Sequence, residues 1–259
     1  MSQQRHIGDA LAGEPRTALR RVGHKGADSI RPGNTLESFR AAVEAGVDTI
    51  ELDVLWTPDG HPKLPRSERA PLVIAHDWHD AERRRPLTLD EGLDVFTAAP
   101  FDRVEIDCDL KLRGREDELI AALRDRGLVD RSMVSTMELV SLERIGAAEP
   151  GLRRGWTYPK VTRDWGSKRW AAPAVLATVA YLRRRLPALA ARMLPQLGVE
   201  AMWVYHQLAS RRLAAATRAA GVELIAWTVD DLRRMRRLVE LGVDGICSND
   251  PRLFAELQG

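Results

Sequence analysis

The chain has 259 residues, of which 39 are lysine or arginine, 37 are aspartate or glutamate and 44% are hydrophobic. This composition is typical of a globular protein with a sizeable core and argues against disorder along the whole chain. The net charge of only +2 makes nucleic acid an unfavoured partner, because a polyanion is normally met by a strongly basic surface.

No composition break of the linker type divides the sequence, so residues 1–17 are interpreted as a polar tail and 18–259 as a single domain. The N-terminal region lacks the apolar core of a signal peptide. The most apolar stretch, Ala171 to Leu182, is too short to span a bilayer. Cys108 and Cys247 lie in apolar runs without paired spacing, which indicates buried thiols in a reducing compartment. We therefore expect a soluble cytoplasmic protein, with its oligomeric state open.

Short apolar segments rich in β-branched residues alternate with longer segments of helical period, which is the pattern of an α/β protein built from βα units. The predicted strands are Leu19–Gly23, Thr49–Val54, Val104–Leu110, Arg131–Ser135, Leu152–Trp156, Ala201–Tyr205, Glu223–Val229 and Asp244–Cys247. The predicted helices are Thr35–Ala45, Arg115–Arg126, Glu138–Ala148, Ala171–Leu194, Ser210–Ala220 and Asp231–Leu241. Eight such strands predict a closed (β/α)8 barrel, also called a TIM barrel.

The ends of several predicted helices carry capping residues. Asn34 and Asp230 precede two of the helices and are predicted as their N-caps. Glycines follow the last periodic residue of four helices, where a left-handed C-cap is expected, at Gly46, Gly127, Gly221 and Gly242.

A ninth apolar run, Pro71 to Ala75, is not separated from the second strand by a helix-length segment. The residues between, Trp56 to Arg69, are rich in proline, glycine and charge. The run therefore predicts a small inserted excursion after the second strand, which returns the pair His76 and Asp77 to the barrel mouth.

Acidic residues occupy the same side of two predicted barrel strands. Glu51 and Asp53 are two residues apart in the second strand, and Asp107, Asp109 and Lys111 share one face of the third. Carboxylates that face a barrel interior need either a cationic partner or a metal ion. A hard divalent cation held by oxygen ligands meets this need, and ion pairs with Lys111 and nearby arginines are the alternative.

The motifs of this chain resemble those of the glycerophosphodiester phosphodiesterase family. They read His24-Lys25-Gly26-Ala27, Pro32-Gly33-Asn34-Thr35-Leu36, Glu51-Leu52-Asp53-Val54 and His76-Asp77, where the family has HRGA, PENTL, ELDV and HD in the same order. Towards the C-terminus, Trp227-Thr228-Val229-Asp230 resembles WTVN and Gly242-Val243-Asp244-Gly245-Ile246 resembles GVDGI. The resemblance covers roughly residues 20–255.

The resemblance implies a phosphoric diester hydrolase that converts a glycerophosphodiester to an alcohol and glycerol 3-phosphate. It implies His24 and His76 as acid and base, with Lys25 beside them. It also implies one divalent cation, Mg²⁺ or Ca²⁺ with Mn²⁺ as a further candidate. The expected metal ligands are Glu51, Asp53 and Asp109, and the expected substrate-binding residues are Lys111 and Trp227.

Several positions depart from the family pattern. Lysine replaces arginine at Lys25 and therefore offers a point charge in place of a two-pronged donor. Gly33 removes a glutamate, Asp109 shortens one, and the usual T-D-x-P becomes Ser248-Asn249-Asp250-Pro251. These changes leave the expected fold intact but leave open the alcohol that is released.

Two alternatives remain at this point. One is phospholipase D-like cleavage of a lysolipid or sphingolipid, with surface contact between a membrane and the basic, apolar segment 181–197. An outer barrel helix with a solvated face explains the same segment. The other alternative is a barrel that binds a phosphodiester without turnover, motivated by Lys25, Gly33 and Asn249.

Overall fold

The computed structural model describes residues 18–160 and 172–257. The predicted tail, residues 1–17, lies outside the described residues, and its separation from one domain at 18–259 stays a prediction. Ten strands are present in the described part of the chain: β1 Arg20–Gly23, β2 Thr49–Leu55, β3 Val73–Ile74, β4 Leu87–Thr88, β5 Glu105–Leu110, β6 Ser132–Thr136, β7 Arg153–Tyr158, β8 Ala201–Tyr205, β9 Glu223–Trp227 and β10 Gly245–Ser248.

Eight of these strands are parallel and form a closed barrel. The order β1-β2-β5-β6-β7-β8-β9-β10 returns to β1, since β1 pairs in parallel with both β2 and β10. All eight predicted barrel strands are present, with ends that differ by at most two residues, and the predicted (β/α)8 barrel is confirmed.

The predicted excursion is also present. β3 runs antiparallel to the end of β2, and β4 runs antiparallel to β3. This hairpin lies outside the closed barrel and leaves His76 directly after Ala75, whose backbone N–H donates to the carbonyl of Asp53. A strand pair therefore returns the chain to the end of β2, as the ninth apolar run predicts.

The helices of the described chain surround the barrel. They are α1 Leu36–Glu44, α2 Trp78–Arg83, α3 Leu89–Val95, α4 Glu116–Asp125, α5 Leu139–Ala148, α6 Ala172–Leu197, α7 Arg211–Ala219, α8 Leu232–Leu241 and α9 Leu253–Leu257. The six predicted helices are found, whereas the short helices α2, α3 and α9 are not among the predictions. None of the described helices combines the length and the hydropathy that crossing a bilayer requires.

The predicted C-cap glycines all adopt positive φ angles, from 64° at Gly127 to 89° at Gly242. The two predicted N-caps are wrong by one residue. Thr35 caps α1 and Asp231 caps α8, each through its own side chain. Asn34 is instead bound to Asp53, and Asp230 is bound to Ser248 and Asn249, as described below.

Apolar side chains fill the space between the barrel and its helices in two large clusters, one around β2 and β5 and one around β8 and β9. Helix α6 contributes Leu186, Ala190 and Leu194 to the second cluster, each at most 1% exposed. The apolar face of segment 181–197 is therefore largely used within the fold, which favours the outer-helix interpretation of its sequence.

Candidate active site

The carboxyl ends of the barrel strands, here called the mouth, bring together the predicted metal ligands. Asp53 on β2 pairs in register with Asp109 on β5, and Glu51 lies two residues before Asp53. One carboxylate oxygen from each of these three residues lies within 4.8 Å of the other two. We call this group, Glu51, Asp53 and Asp109, the acidic wall.

Burial makes the acidic wall costly for the fold. Glu51 is 4% exposed and Asp53 is fully buried. Burial, together with the neighbouring Asp53 carboxylate, raises the pKa of Glu51 well above its ordinary value. Burial also acts to raise the pKa of Asp53, but the Lys111 ammonium together with the two histidines of the mouth outweighs it and holds that pKa below its ordinary value. The wall therefore needs positive charge nearby.

Lys111 supplies part of that charge. Its Nζ lies 2.5 Å from Asp109 Oδ2 and 2.5 Å from Asp53 Oδ1. The contact with Asp109 is a hydrogen bond, whereas Asp53 Oδ1 has ion-pair contact but no hydrogen-bond donor among the described residues. Three carboxylates that offer oxygen ligands, together with the buried Asp53 Oδ1 that lacks a hydrogen-bond donor, fit a hard divalent cation.

His24 follows β1 and is 20% exposed at its side chain, with Nε2 4.0 Å from Glu51 Oε2. Burial lowers the pKa of the His24 imidazole below its ordinary value. His76 follows β3 and is largely exposed, with Nδ1 3.2 Å from Asp77 Oδ2. The side chains of Lys25, Asn34 and His76 line the same cleft of about 340 Å³. The two histidines thus approach the mouth from different elements.

Lys25 belongs to a left-handed turn, with φ of 50°, and donates its backbone N–H to Glu51 Oε2 at 2.8 Å. Its ammonium lies 2.6 Å from Asp28 Oδ2. The other oxygen of Asp28 accepts the backbone N–H of Gly33 at 2.7 Å. Sequence reasoning missed Asp28, which supplies a carboxylate at the place where Gly33 lacks one.

Gly33 has no room for a side chain in this arrangement. A Cβ atom there would lie 2.6 Å from Asp28 Oδ1 and 2.8 Å from the Cβ atom of Lys25. The glycine at position 33, where the family has glutamate, therefore leaves the space that the paired side chains of Lys25 and Asp28 occupy.

Asn34 is a second site residue that sequence reasoning missed. Its amide donates to Asp53 Oδ2 at 2.7 Å, and its Oδ1 accepts the backbone N–H of Asp53 at 3.1 Å. Asn34 is 1% exposed and has a φ of 60°. The Pro-Gly-Asn-Thr motif marked Asn34 in the sequence. We interpreted Asn34 as the N-cap of α1, whereas its side chain binds Asp53.

Across the mouth from the acidic wall, aromatic rings end β8 and β9. The ring centroids of Tyr205 and Trp227 lie 5.9 Å apart. Trp227 is half-buried against the barrel interior, and its Nε1 atom is buried without a hydrogen-bond partner among the described residues. We call Tyr205 and Trp227 the aromatic wall.

A model of the glycerophosphoryl diester phosphodiesterase family matches residues 24–65 and 92–253. The chain belongs to this family. Its enzyme class, the phosphoric diester hydrolases, is the one expected from the sequence. The excursion that carries His76 falls between the two matched segments, so the position of His76 is known from the structure and not from this match.

Full-length relatives agree with this assignment. The chain is 37% identical to the glycerophosphodiester phosphodiesterase GDPD4 of Arabidopsis thaliana over 90% of this chain and 71% of that protein. It is 25% identical to the glycerophosphodiester phosphodiesterase of Caldanaerobacter subterraneus subsp. tengcongensis over 91% of this chain and 96% of the relative.

Solved structures share the fold. A putative glycerophosphoryl diester phosphodiesterase from Agrobacterium tumefaciens superposes with a TM-score of 0.70 at 17% identity, covering 93% of this chain and 98% of that one. An Oleispira antarctica phosphodiesterase in complex with the product sn-glycerol-3-phosphate superposes with a TM-score of 0.59 at 20% identity, covering 92% and 94%.

Proposed function

We propose that this protein hydrolyses a glycerophosphodiester to an alcohol and glycerol 3-phosphate in the presence of a divalent cation. The observation that carries the proposal is the acidic wall, with His24 Nε2 4.0 Å from Glu51 Oε2 and with His76 close enough to Asp53 to help lower its pKa. Family membership and the product named for the Oleispira antarctica enzyme support the choice of substrate.

Glu51, Asp53 and Asp109 would hold the cation, which is Mg²⁺, Ca²⁺ or Mn²⁺ because every ligand atom is an oxygen. When bound, such a cation neutralises phosphate oxygens and acts as a Lewis acid. Lys111 pairs with Asp53 and the backbone of Lys25 binds Glu51, so both lysines border the site and add positive charge for the phosphate. Charge neutralisation matters because the substrate anion repels an attacking nucleophile.

The two histidines supply the proton transfers. Attack of water on phosphorus releases one proton, and departure of the alkoxide as an alcohol consumes one. One histidine accepts the first proton while the other donates the second, and the P–O bond to the leaving alcohol breaks. Histidine suits both tasks, because its ordinary pKa lies near neutrality.

The aromatic wall would bind the part of the substrate that carries no charge. Trp227 presents an apolar surface at the mouth, opposite the carboxylates. Such surfaces fix the orientation of a small ligand while a few polar groups provide specificity. We place Trp227 in substrate binding and not in the proton transfers.

Activity on glycerophosphodiesters, lysolipids and sphingomyelin tests the proposal. We expect release of glycerol 3-phosphate from a water-soluble glycerophosphodiester, with loss of activity in excess chelator and recovery on addition of Mg²⁺, Ca²⁺ or Mn²⁺. Full activity in chelator would contradict the metal proposal. Activity confined to lysolipids or sphingomyelin would instead support the phospholipase D-like alternative, and no turnover of any diester would support a binding function.

A further inference from the structure

The imidazole of His24 is joined to two polar side chains that the proposed chemistry does not use. His24 Nδ1 lies 2.6 Å from Asn249 Oδ1. The side-chain amide of Asn249 donates to Asp230 Oδ2 at 2.7 Å, and its backbone N–H donates to Asp230 Oδ1 at 2.8 Å. Ser248 Oγ donates to the same Oδ1 at 3.0 Å. These contacts form a path of hydrogen bonds that leads away from the acidic wall.

The donors and acceptors along this path fix one another. An ionised carboxylate can only accept, so Asn249 must turn its NH₂ group to Asp230 and its oxygen to His24. An amide oxygen also can only accept, so Nδ1 of His24 must carry the hydrogen. The lone pair is then on Nε2, the ring nitrogen that lies 4.0 Å from Glu51 Oε2.

Backbone pairing holds the path in place. Gly23 pairs with Ser248 where β1 meets β10, and the backbone N–H of His24 donates to the carbonyl of Ser248 at 2.9 Å. The backbone therefore places Asn249 next to His24, and Asp230 contacts Asn249.

The two residues also depart from the family motifs together. Where those motifs have asparagine in WTVN and aspartate in T-D-x-P, this chain has Asp230 and Asn249. The amide and the carboxylate have exchanged places, so one of each is retained. Here the direct neighbour of His24 is neutral, and the carboxylate is one step farther away.

We propose that Asn249 and Asp230 are positioning residues that hold His24 as its Nδ1–H tautomer, with the lone pair of Nε2 open to the substrate. Asn249 orients the ring, and Asp230 orients Asn249. The proposal rests on the proposed function only in taking His24 Nε2 as a nitrogen that exchanges a proton with the substrate.

The tautomer can be measured without any substrate. In protein with ¹⁵N-labelled histidine, long-range ¹H–¹⁵N NMR spectra at a pH where the ring is neutral distinguish Nδ1–H from Nε2–H, and a His24→Gln spectrum assigns the signals. We expect Nδ1–H in the parent protein and a shift of population to Nε2–H in Asn249→Ala. Arg252→Ala is the matched control, because Arg252 forms a surface ion pair with Asp250 in the same segment and does not contact His24.

Kinetics provide a second readout. We expect Asn249→Ala and Asp230→Asn each to lower kcat by roughly 10²-fold with KM changed less than about threefold, since a mispositioned base affects turnover more than binding. The double variant Asp230→Asn/Asn249→Asp restores one amide and one carboxylate in reversed order, and we expect it to recover kcat to within about tenfold of the parent.

Three results would overturn the proposal. They are an Nε2–H tautomer in the parent protein, an unchanged tautomer and kcat in folded Asn249→Ala, and a folded double variant no faster than the slower single variant. If Asn249→Ala fails to fold, the double variant decides alone. If the parent protein hydrolyses no diester, the proposed function fails, whereas the tautomer measurement still decides the role of Asn249 and Asp230.

Discussion

On β2 and β5 the side chains at the mouth are carboxylates, whereas on β8 and β9 they are aromatic rings. Both walls are built on parallel strands of one barrel and are flanked by apolar clusters of similar composition. They differ in how burial of their side chains changes the free energy of folding. The aromatic wall gains from burial, whereas the acidic wall loses solvation and needs compensation.

The compensation comes from residues outside the two acidic strands. Asn34 binds Asp53 from the loop before α1, the Lys25 backbone binds Glu51 from the turn after β1, and Lys111 lies just beyond β5. The aromatic wall has one buried polar atom to satisfy, Trp227 Nε1, and that atom has no partner among the described residues. The difference teaches that the half of the mouth proposed to hold the metal is supported from several loops, whereas the half proposed to bind the uncharged part of the substrate is built by core packing.

The largest expected effect is on the acidic wall. Glu51→Gln keeps the shape of the side chain but removes a ligand charge, so we expect metal affinity to fall at least about tenfold and kcat/KM roughly 10³-fold. Thermal stability should be unchanged or higher, because the buried carboxylate is itself costly. Metal titration by calorimetry, activity assays and thermal melts check this.

Asp107→Asn is the matched control for Glu51→Gln. Asp107 is fully buried on the same strand face as Asp109, but it lies outside the three-carboxylate group. Burial raises the pKa of Asp107 well above its ordinary value, and Ser135 Oγ donates to its Oδ2. An uncharged amide should therefore be tolerated, with metal affinity and kcat/KM within about threefold of the parent. A loss as large as that of Glu51→Gln would mean that Asp107 belongs to the metal site.

The next effect concerns Lys25, at the edge of the acidic wall. Lys25→Ala should reduce kcat/KM by roughly 10², about 2.7 kcal/mol of transition-state stabilisation, if the ammonium helps to neutralise the phosphate. Lys25→Arg should be tolerated, because a guanidinium can pair with Asp28 and still offer donors to phosphate. Steady-state kinetics of both variants on one glycerophosphodiester decide the matter. Alanine with parental kinetics would remove Lys25 from the mechanism.

A smaller and different effect is expected at the aromatic wall. Trp227→Phe retains a ring but reduces its area, so we expect KM to rise about three- to tenfold with kcat changed less than about twofold. Tyr205, which contacts Trp227, provides the comparison variant Tyr205→Phe, for which we expect a near-parental KM. A fall in kcat without a change in KM for Trp227→Phe would place the ring in the chemical step instead.

The smallest effect on activity is expected at the opposite end of the barrel. Arg20 on β1 binds both Glu105 on β5 and Glu223 on β9, and so connects the strands of the two walls. Burial acts to raise the pKa of Glu105, but Arg20 and Arg153 outweigh it and hold that pKa below its ordinary value. The ionised form of Glu105 therefore stabilises the folded state.

The sign of the pH dependence follows from the lowered pKa of Glu105. Its stabilisation is present above the unfolded-state pKa of about 4.3 and is lost as the pH falls through the lower folded-state pKa. Glu105→Gln should reduce the free energy of unfolding at pH 7 by about 1–3 kcal/mol and flatten its acid dependence, with kcat/KM unchanged. Urea unfolding from pH 7 to pH 3 measures this. A parallel pH profile for parent and variant would contradict the assignment.

Much of the barrel could be predicted because its strands and helices carry periodic apolar patterns and glycine C-caps, such as Gly242 after α8. The short helices α2 and α9 have six and five residues, too few for a period of 3.6 to be visible. The alternation along β2 was also sufficient to place Glu51 and Asp53 on one side.

The supports of the site could not be predicted in the same way. Asn34 and Asn249 are defined by contacts to residues that are distant in sequence, and a local pattern does not reveal which segments meet. Asp28 contacts Lys25 and Gly33 within its own irregular loop, which carries no periodic pattern. Asn34 and Asp230 show the difficulty, since each stands next to a helix start and each was assigned to the helix. A helix cap and a contact to a distant residue use the same side-chain atoms, so only the closed barrel distinguishes them.

The parallel pairing of β1 with β10 joins residues near the two ends of the described chain. The hydrogen bond from His24 to Asn249 spans 225 positions, among the most non-local contacts that the described chain offers. Such contacts form late, because the entropy of closing so long a loop must be met first. A chain still emerging from the ribosome can hold its carboxylates and both histidines, yet His24 lacks its Asn249 partner until the last strand is made. In the proposed mechanism, we therefore expect catalytic competence to require the pairing of β1 with β10.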